Sequence, residues 1–133
     1  MKSPWPHLRW AGVLVWMLVL LSGCGTGPRY QSQQDDLVAS LQFAQAPIVN
    51  QSVPVDVVFQ RNGQTVAVTT VALDLQMPGM VMGSNRPLAD ARTDGTHRVN
   101  VLFTMGGEWS IVVTGDSAQG PVRMVFERII VSP

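Results

Sequence analysis

From Leu37 onward the chain is written in period two. Leu37, Ala39, Leu41 and Phe43 alternate with more polar neighbours, and Val53, Val55, Val57 and Phe59 repeat the pattern. Successive side chains of a strand point to opposite faces, so this alternation marks strands with one face buried. No stretch carries sustained helical periodicity. Turn signals punctuate the runs: Asn62-Gly63, where both residues accept positive φ, then Asp94-Gly95, Gly106-Gly107 and the stretch 115–120. Between them the pattern predicts a return strand over 65–75, a short strand near 87–92, and strands at 96–105, 109–114 and 122–131. About seven short strands at this spacing predict an all-β fold, an antiparallel β-sandwich.

One register can be worked out further. Val99, Val101, Phe103 and Met105 are odd-numbered, as are Trp109, Ile111 and Val113. Pairing Met105 with Trp109 across a loop at 106–108 keeps all of them on one face. A two-residue Gly106-Gly107 turn would throw Trp109 onto the other face. The expectation is a hairpin with Met105 and Trp109 in sulfur–aromatic contact at one end of the core. Met124, mid-strand, reads as core.

Composition narrows the function classes. The 133 residues suit one domain, and 46% hydrophobic with 14% charged residues describe a chain that folds. Nine basic and nine acidic residues cancel, so the field that nucleic-acid binding requires is missing. One Cys allows neither an intrachain disulfide nor a multi-thiolate metal site. An enzyme is not expected. His97 would be the only His left after removal of an N-terminal leader, which leaves no Ser–His–Asp set. Asp74, Asp90 and Asp94 are dispersed, and no Gly-rich phosphate loop precedes a helix. The Arg and Asp residues over 86–98 read as a solvated charged edge.

The first residues read as an address. Lys2, His7 and Arg9 precede an apolar run from Ala11 to Leu21. A spanning helix needs about 20 apolar residues, so the run suits the hydrophobic part of a secretory signal instead. It ends in Leu21-Ser22-Gly23-Cys24, which resembles the lipobox of bacterial lipoproteins. That resemblance implies a signal peptide over 1–23, with Cys24 as the mature N-terminus carrying lipid on its sulfur and anchoring the chain in membrane lipid. Gly25 in the following position implies the outer membrane. Residues 24–36, polar and turn-rich, are expected to be a flexible tether, and 37–133 the domain. Processing leaves Trp109 as the sole Trp and no Lys.

Chemical content is concentrated in Met77-Pro78-Gly79-Met80-Val81-Met82-Gly83. Thioether sulfur is soft, suits Cu(I) over harder ions, and needs no deprotonation. On spacing alone the favoured reading is that these residues are flexible gap-fillers plugging the sandwich end. Strand directions put Met105 at the same end as this loop. They put His97 at the other, about 26 Å away at ~3.3 Å per residue, provided the short strand near 87–92 exists. His97 is then expected on a solvent edge and is the weaker metal candidate. The candidate Cu(I) site is Met80, Met82 and Met105, with Met77 as a fourth donor and Trp109 adjacent. The rival reading is a metal-independent module that uses the same loop as an adaptable contact for an envelope protein.

Several stretches together resemble the FixH/YtkA-like domain of bacterial envelope proteins. They are N-G-Q-T-V from Asn62, M-P-G-M-V-M-G, D-G-T-H-R-V from Asp94, F-T-M-G-G-E-W-S-I-V-V from Phe103, and the closing V-F-E-R-I-I-V. The resemblance implies an immunoglobulin-like β fold. It also implies a role in envelope copper handling, because FixH-type proteins accompany copper-dependent terminal oxidases. His97 stands where the family usually has Tyr, and a lipobox stands where FixH-type proteins carry a transmembrane anchor. This chain is therefore closer to the YtkA-like branch.

Overall fold

The computed structural model describes residues 27–81, 83 and 85–133. The expectations placed on the leader, on Cys24 and on Met82 fall outside these residues. Among the described residues nine strands follow in order: β1 (Arg29–Gln34), β2 (Leu37–Phe43), β3 (Ser52–Arg61), β4 (Gln64–Thr65), β5 (Val68–Gln76), β6 (Asp90–Ala91), β7 (His97–Leu102), β8 (Gly107–Ser117) and β9 (Gly120–Val131). They form two antiparallel sheets packed as a sandwich. One runs β1-β2-β3-β7-β6 with β4 on the end of β3, and the other runs β5-β8-β9. With β2 as the first strand, this is the order of an immunoglobulin constant-type sandwich, extended at one edge by β1.

The alternating residues do what their period requires. Ala39, Leu41, Phe43, Val55, Val57 and Phe59 are wholly buried, and Leu73, Ile111 and Val113 meet them from the opposite sheet. A chain of rings fills one end: Tyr30 on Phe43 (5.7 Å between centroids), Phe43 on Phe103 (6.5 Å) and Phe103 on Trp109 (5.2 Å).

Two parity breaks keep the core continuous. In β5 the buried residues change from Val68 to Val71, Leu73 and Leu75 across a bulge where Thr70 takes φ 52°. In β9 they change from Val122, Met124 and Phe126 to Ile129 and Val131 across a second bulge, with Arg128 at φ 59°. An inserted residue re-aims every side chain after it.

Four expectations are corrected. The polar segment read as part of a tether is strand β1 over Arg29–Gln34, joined to β2 by a turn at Asp35-Asp36. Its polar side chains concealed a backbone that completes the edge of a sheet. The return strand after Asn62-Gly63 pairs with β3 only at Gln64–Thr65, then crosses to the other sheet as β5. The reason is occupancy: β7 takes that side of β3 over Ser52–Val57. The strands flanking Gly106-Gly107 are no hairpin, since β7 and β8 belong to different sheets. Alternation reports which face is buried, and here the two strands bury the same parity from facing sheets. Finally, His97 is not at a solvent edge. It shares the inner face of β7 with Val99 and Val101, is 5% exposed, and sits edge-on to Phe59 at 5.9 Å.

Candidate functional site

The turns sort into two ends. At one lie Asp35-Asp36, Asn62-Gly63, the loop 92–96 and Ala118-Gln119; at the other lie the connections 44–51, 77–89 and 103–106. The methionine segment and Met105 therefore share an end, and His97 starts β7 on the way to the opposite one.

Met77-Pro78-Gly79-Met80 is a hydrogen-bonded turn. The Met80 N–H donates to the Met77 carbonyl at 3.1 Å and Gly79 takes φ 78°. Pro then Gly with positive φ at the two central positions is the type II pattern, so this part of the loop is built rather than irregular. Met77 is half-buried against the core, its Cε 3.2 Å from where a Cβ on Gly107 would stand. Met80 points outward at 52% exposure and Val81 is fully exposed. The chain then runs back along β5. Leu75 N–H donates to Asn85 O, Leu73 N–H to Pro87 O, and Ala89 N–H to Val71 O.

This return leaves an open cleft of about 900 Å³ over the outer face of β5-β8-β9. Met77, Met80 and Val81 form one wall. Asp74, Glu108, Glu127 and Arg128 are the charged floor, and Arg86 stands on the returning segment. The Gln76 Nε2–H donates to Asp74 Oδ2 at 2.9 Å. Sequence reasoning missed this floor. The outward parity of Asp74 and Glu108 was legible, but Arg128 reaches it through a bulge that no residue type announces.

The remaining candidates are placed as follows. Met105 is 36% exposed and does not line the cleft. Its carbonyl accepts the Trp109 indole N–H at 2.9 Å, and Trp109 is 1% exposed, a core residue rather than a wall. Met124 is core, as expected. The structure thus brings Met77 and Met80 to one cleft and leaves Met105 beside it. Burial lowers the His97 pKa from its ordinary 6.5. The Thr96 hydroxyl and N–H both donate to Asp94 and hold its carboxyl below the usual range. Among the described residues no three His, Cys, Asp or Glu side chains are grouped to hold a metal ion, and no helix is long and apolar enough to cross a membrane.

The strand order and the overhanging Met loop define a small immunoglobulin-like sandwich with its irregular chemistry gathered at one end. A family model described as YtkA-like matches residues 31–114, well over half the chain, and the protein belongs to the YtkA-like family. The match starts further upstream than the motifs quoted above, inside β1, and stops before β9. No curated protein and no solved structure matches the chain.

Proposed function

We propose that this YtkA-like protein is a lipid-anchored module of the bacterial envelope, facing the periplasm from the outer membrane, and that its Met loop takes Cu(I). The lipobox-like Leu21-Ser22-Gly23-Cys24 supports the anchor. The carrying observation for copper is the type II turn, which sets Met77 and Met80 on one wall of an open cleft. Met82 follows two residues later, and Met105 stands at the same end as a further thioether. The donor set is soft and free of imidazole and thiolate, which suits Cu(I) and leaves binding insensitive to pH.

The test is anaerobic competition for Cu(I) between the mature protein and a chromogenic chelator. The wild type should withdraw copper, and Met80→Leu with Met82→Leu should abolish this with Tm unchanged. A wild type that withdraws none refutes the reading, and so does a double variant that binds normally. A second reading is favoured by Val81, which stands fully exposed beside Met80. Such a loop crest is an adaptable contact for an envelope protein. A crosslink from Val81 to one protein, unchanged by copper chelation, would select that reading.

A further inference from the structure

Strand β1 runs from Arg29, at the Met-loop end, to the Asp35-Asp36 turn at the other. Its start is clamped. The Phe43 N–H donates to Pro28 O at 3.0 Å, and the Gln42 Nε2–H donates to Gly27 O at 2.9 Å. Gly27 lies so close to Phe43 O that an added Cβ would stand 2.4 Å from it. Cys24 precedes Gly27 by three residues, which at ~3.3–3.6 Å each span at most about 11 Å. The described chain is thus anchored to the sheet from Gly27 on, and an acyl group on Cys24 would be attached no further than that reach from this end of the sandwich.

The two ends differ in chemistry. Of the exposed large hydrophobic residues, Ile48, Met80, Val81, Leu102, Met105 and Ile130 belong to the end where β1 starts, and Leu88 and Val125 stand midway along the sandwich. None of the exposed large hydrophobic residues among those described lies in the four turns of the far end. That far end carries Asp35, Asp36, Asp94 and Asp116 against Arg61 and Arg92. The apolar end, taken with the cleft floor just below it, carries Arg29, Arg86 and Arg128 against Asp74, Glu108 and Glu127, which cancel. An anionic bilayer surface attracts the first distribution less than the second.

We propose that the apolar end is a bilayer-docking surface: the sandwich stands on the membrane with Met80, Val81 and Met105 at the headgroup boundary and the aspartate-bearing turns pointing away. This rests on the reading that Cys24 is acylated. The apolar contacts need little affinity of their own, because a linker this short keeps them at high effective concentration next to lipid.

The experiment uses the full acylated protein in vesicles of phosphatidylethanolamine and phosphatidylglycerol that contain a nitroxide lipid. A polarity-sensitive dye is attached at Val81→Cys, at Met105→Cys or at Asn62→Cys; an acylated Cys24 offers no thiol to compete. The nitroxide should quench the dye at Val81 and at Met105 several-fold more than at Asn62. Equal quenching at all three sites, in protein that floats with the vesicles and whose Cys24 carries lipid by mass, overturns the docking and leaves the anchor intact. Protein that fails to float and has an unmodified Cys24 overturns the anchor and the docking with it. Preferential capture of the tip by a membrane protein, with no quenching from lipid, also overturns it.

Discussion

His97 is the residue whose environment departs furthest from what its type prefers. It is a titratable ring on the inner face of β7, packed against Phe59. Burial disfavours its cation, so its folded-state pKa lies below the 6.5 of the unfolded chain. The unfolded chain therefore binds the proton first. Stability is fully present above pH 6.5 and is lost as the pH falls through that value toward the lower folded-state pKa. Tm should drop between about pH 7.5 and pH 5 in the wild type and stay flatter in His97→Phe, read by circular dichroism. Gly115 makes the second residue-scale prediction. A Cβ there would stand 2.5 Å from Val68 Cγ1 and 3.1 Å from Thr69 O. Gly115→Ala should cost about 1–3 kcal/mol in urea denaturation, the usual effect of overpacking a tight contact.

At the scale of elements, the bulges govern more than their size suggests. Arg128 is the surplus residue that the β9 bulge absorbs, and one further residue inserted after it would turn Ile129 and Val131, 0% and 1% exposed, to the outer face. Each apolar side chain of this kind contributes about 1.5–3 kcal/mol on burial, so the insertion should destabilise the fold by several kcal/mol, whereas Arg128→Gly should be nearly neutral. Chemical denaturation of both variants measures the contrast. The Asn62-Gly63 turn, with φ 52° and 77°, has the signs a two-residue type I′ loop requires. Asn62→Val, which accepts positive φ poorly, should cost about 1–2 kcal/mol. Much of this level was legible in the sequence. Every strand that buries an alternating row was found, and so were the Asn62 and Asp94 turns. Strand β1 was not, because its side chains are polar and its stability comes from backbone pairing. The bulges were not either, since Thr70 and Arg128 are residue types that seldom adopt positive φ. Nor was the separation of β7 from β8, because period two encodes the buried face and is silent about the neighbour. The same silence hid the cleft, whose floor brings Asp74 of β5 to Glu108 of β8 and Glu127 of β9.

For the whole molecule, the topology is dominated by non-local pairings: β3 with β7, β5 with β8, and the crossovers between sheets. Such sandwiches fold slowly, in about milliseconds to seconds, because the loops must close before contacts form. Trp109 reports this directly. Among residues 27–133 it is the only Trp, and it is buried beside Phe103. Stopped-flow refolding should give a blue-shifted emission that develops on that timescale. The last residues are also stitched into the body. Ser132 bridges Ile48 in parallel, its N–H donates to Pro47 O, and its carbonyl accepts the Val49 N–H. A reporter fused after Pro133 would therefore emerge next to Gly106 and Met105 and crowd the methionine end of the sandwich. An epitope spliced between Ala118 and Gln119 would stand at the opposite end and leave the methionine segment clear, so an antibody could read the folded protein without covering that loop.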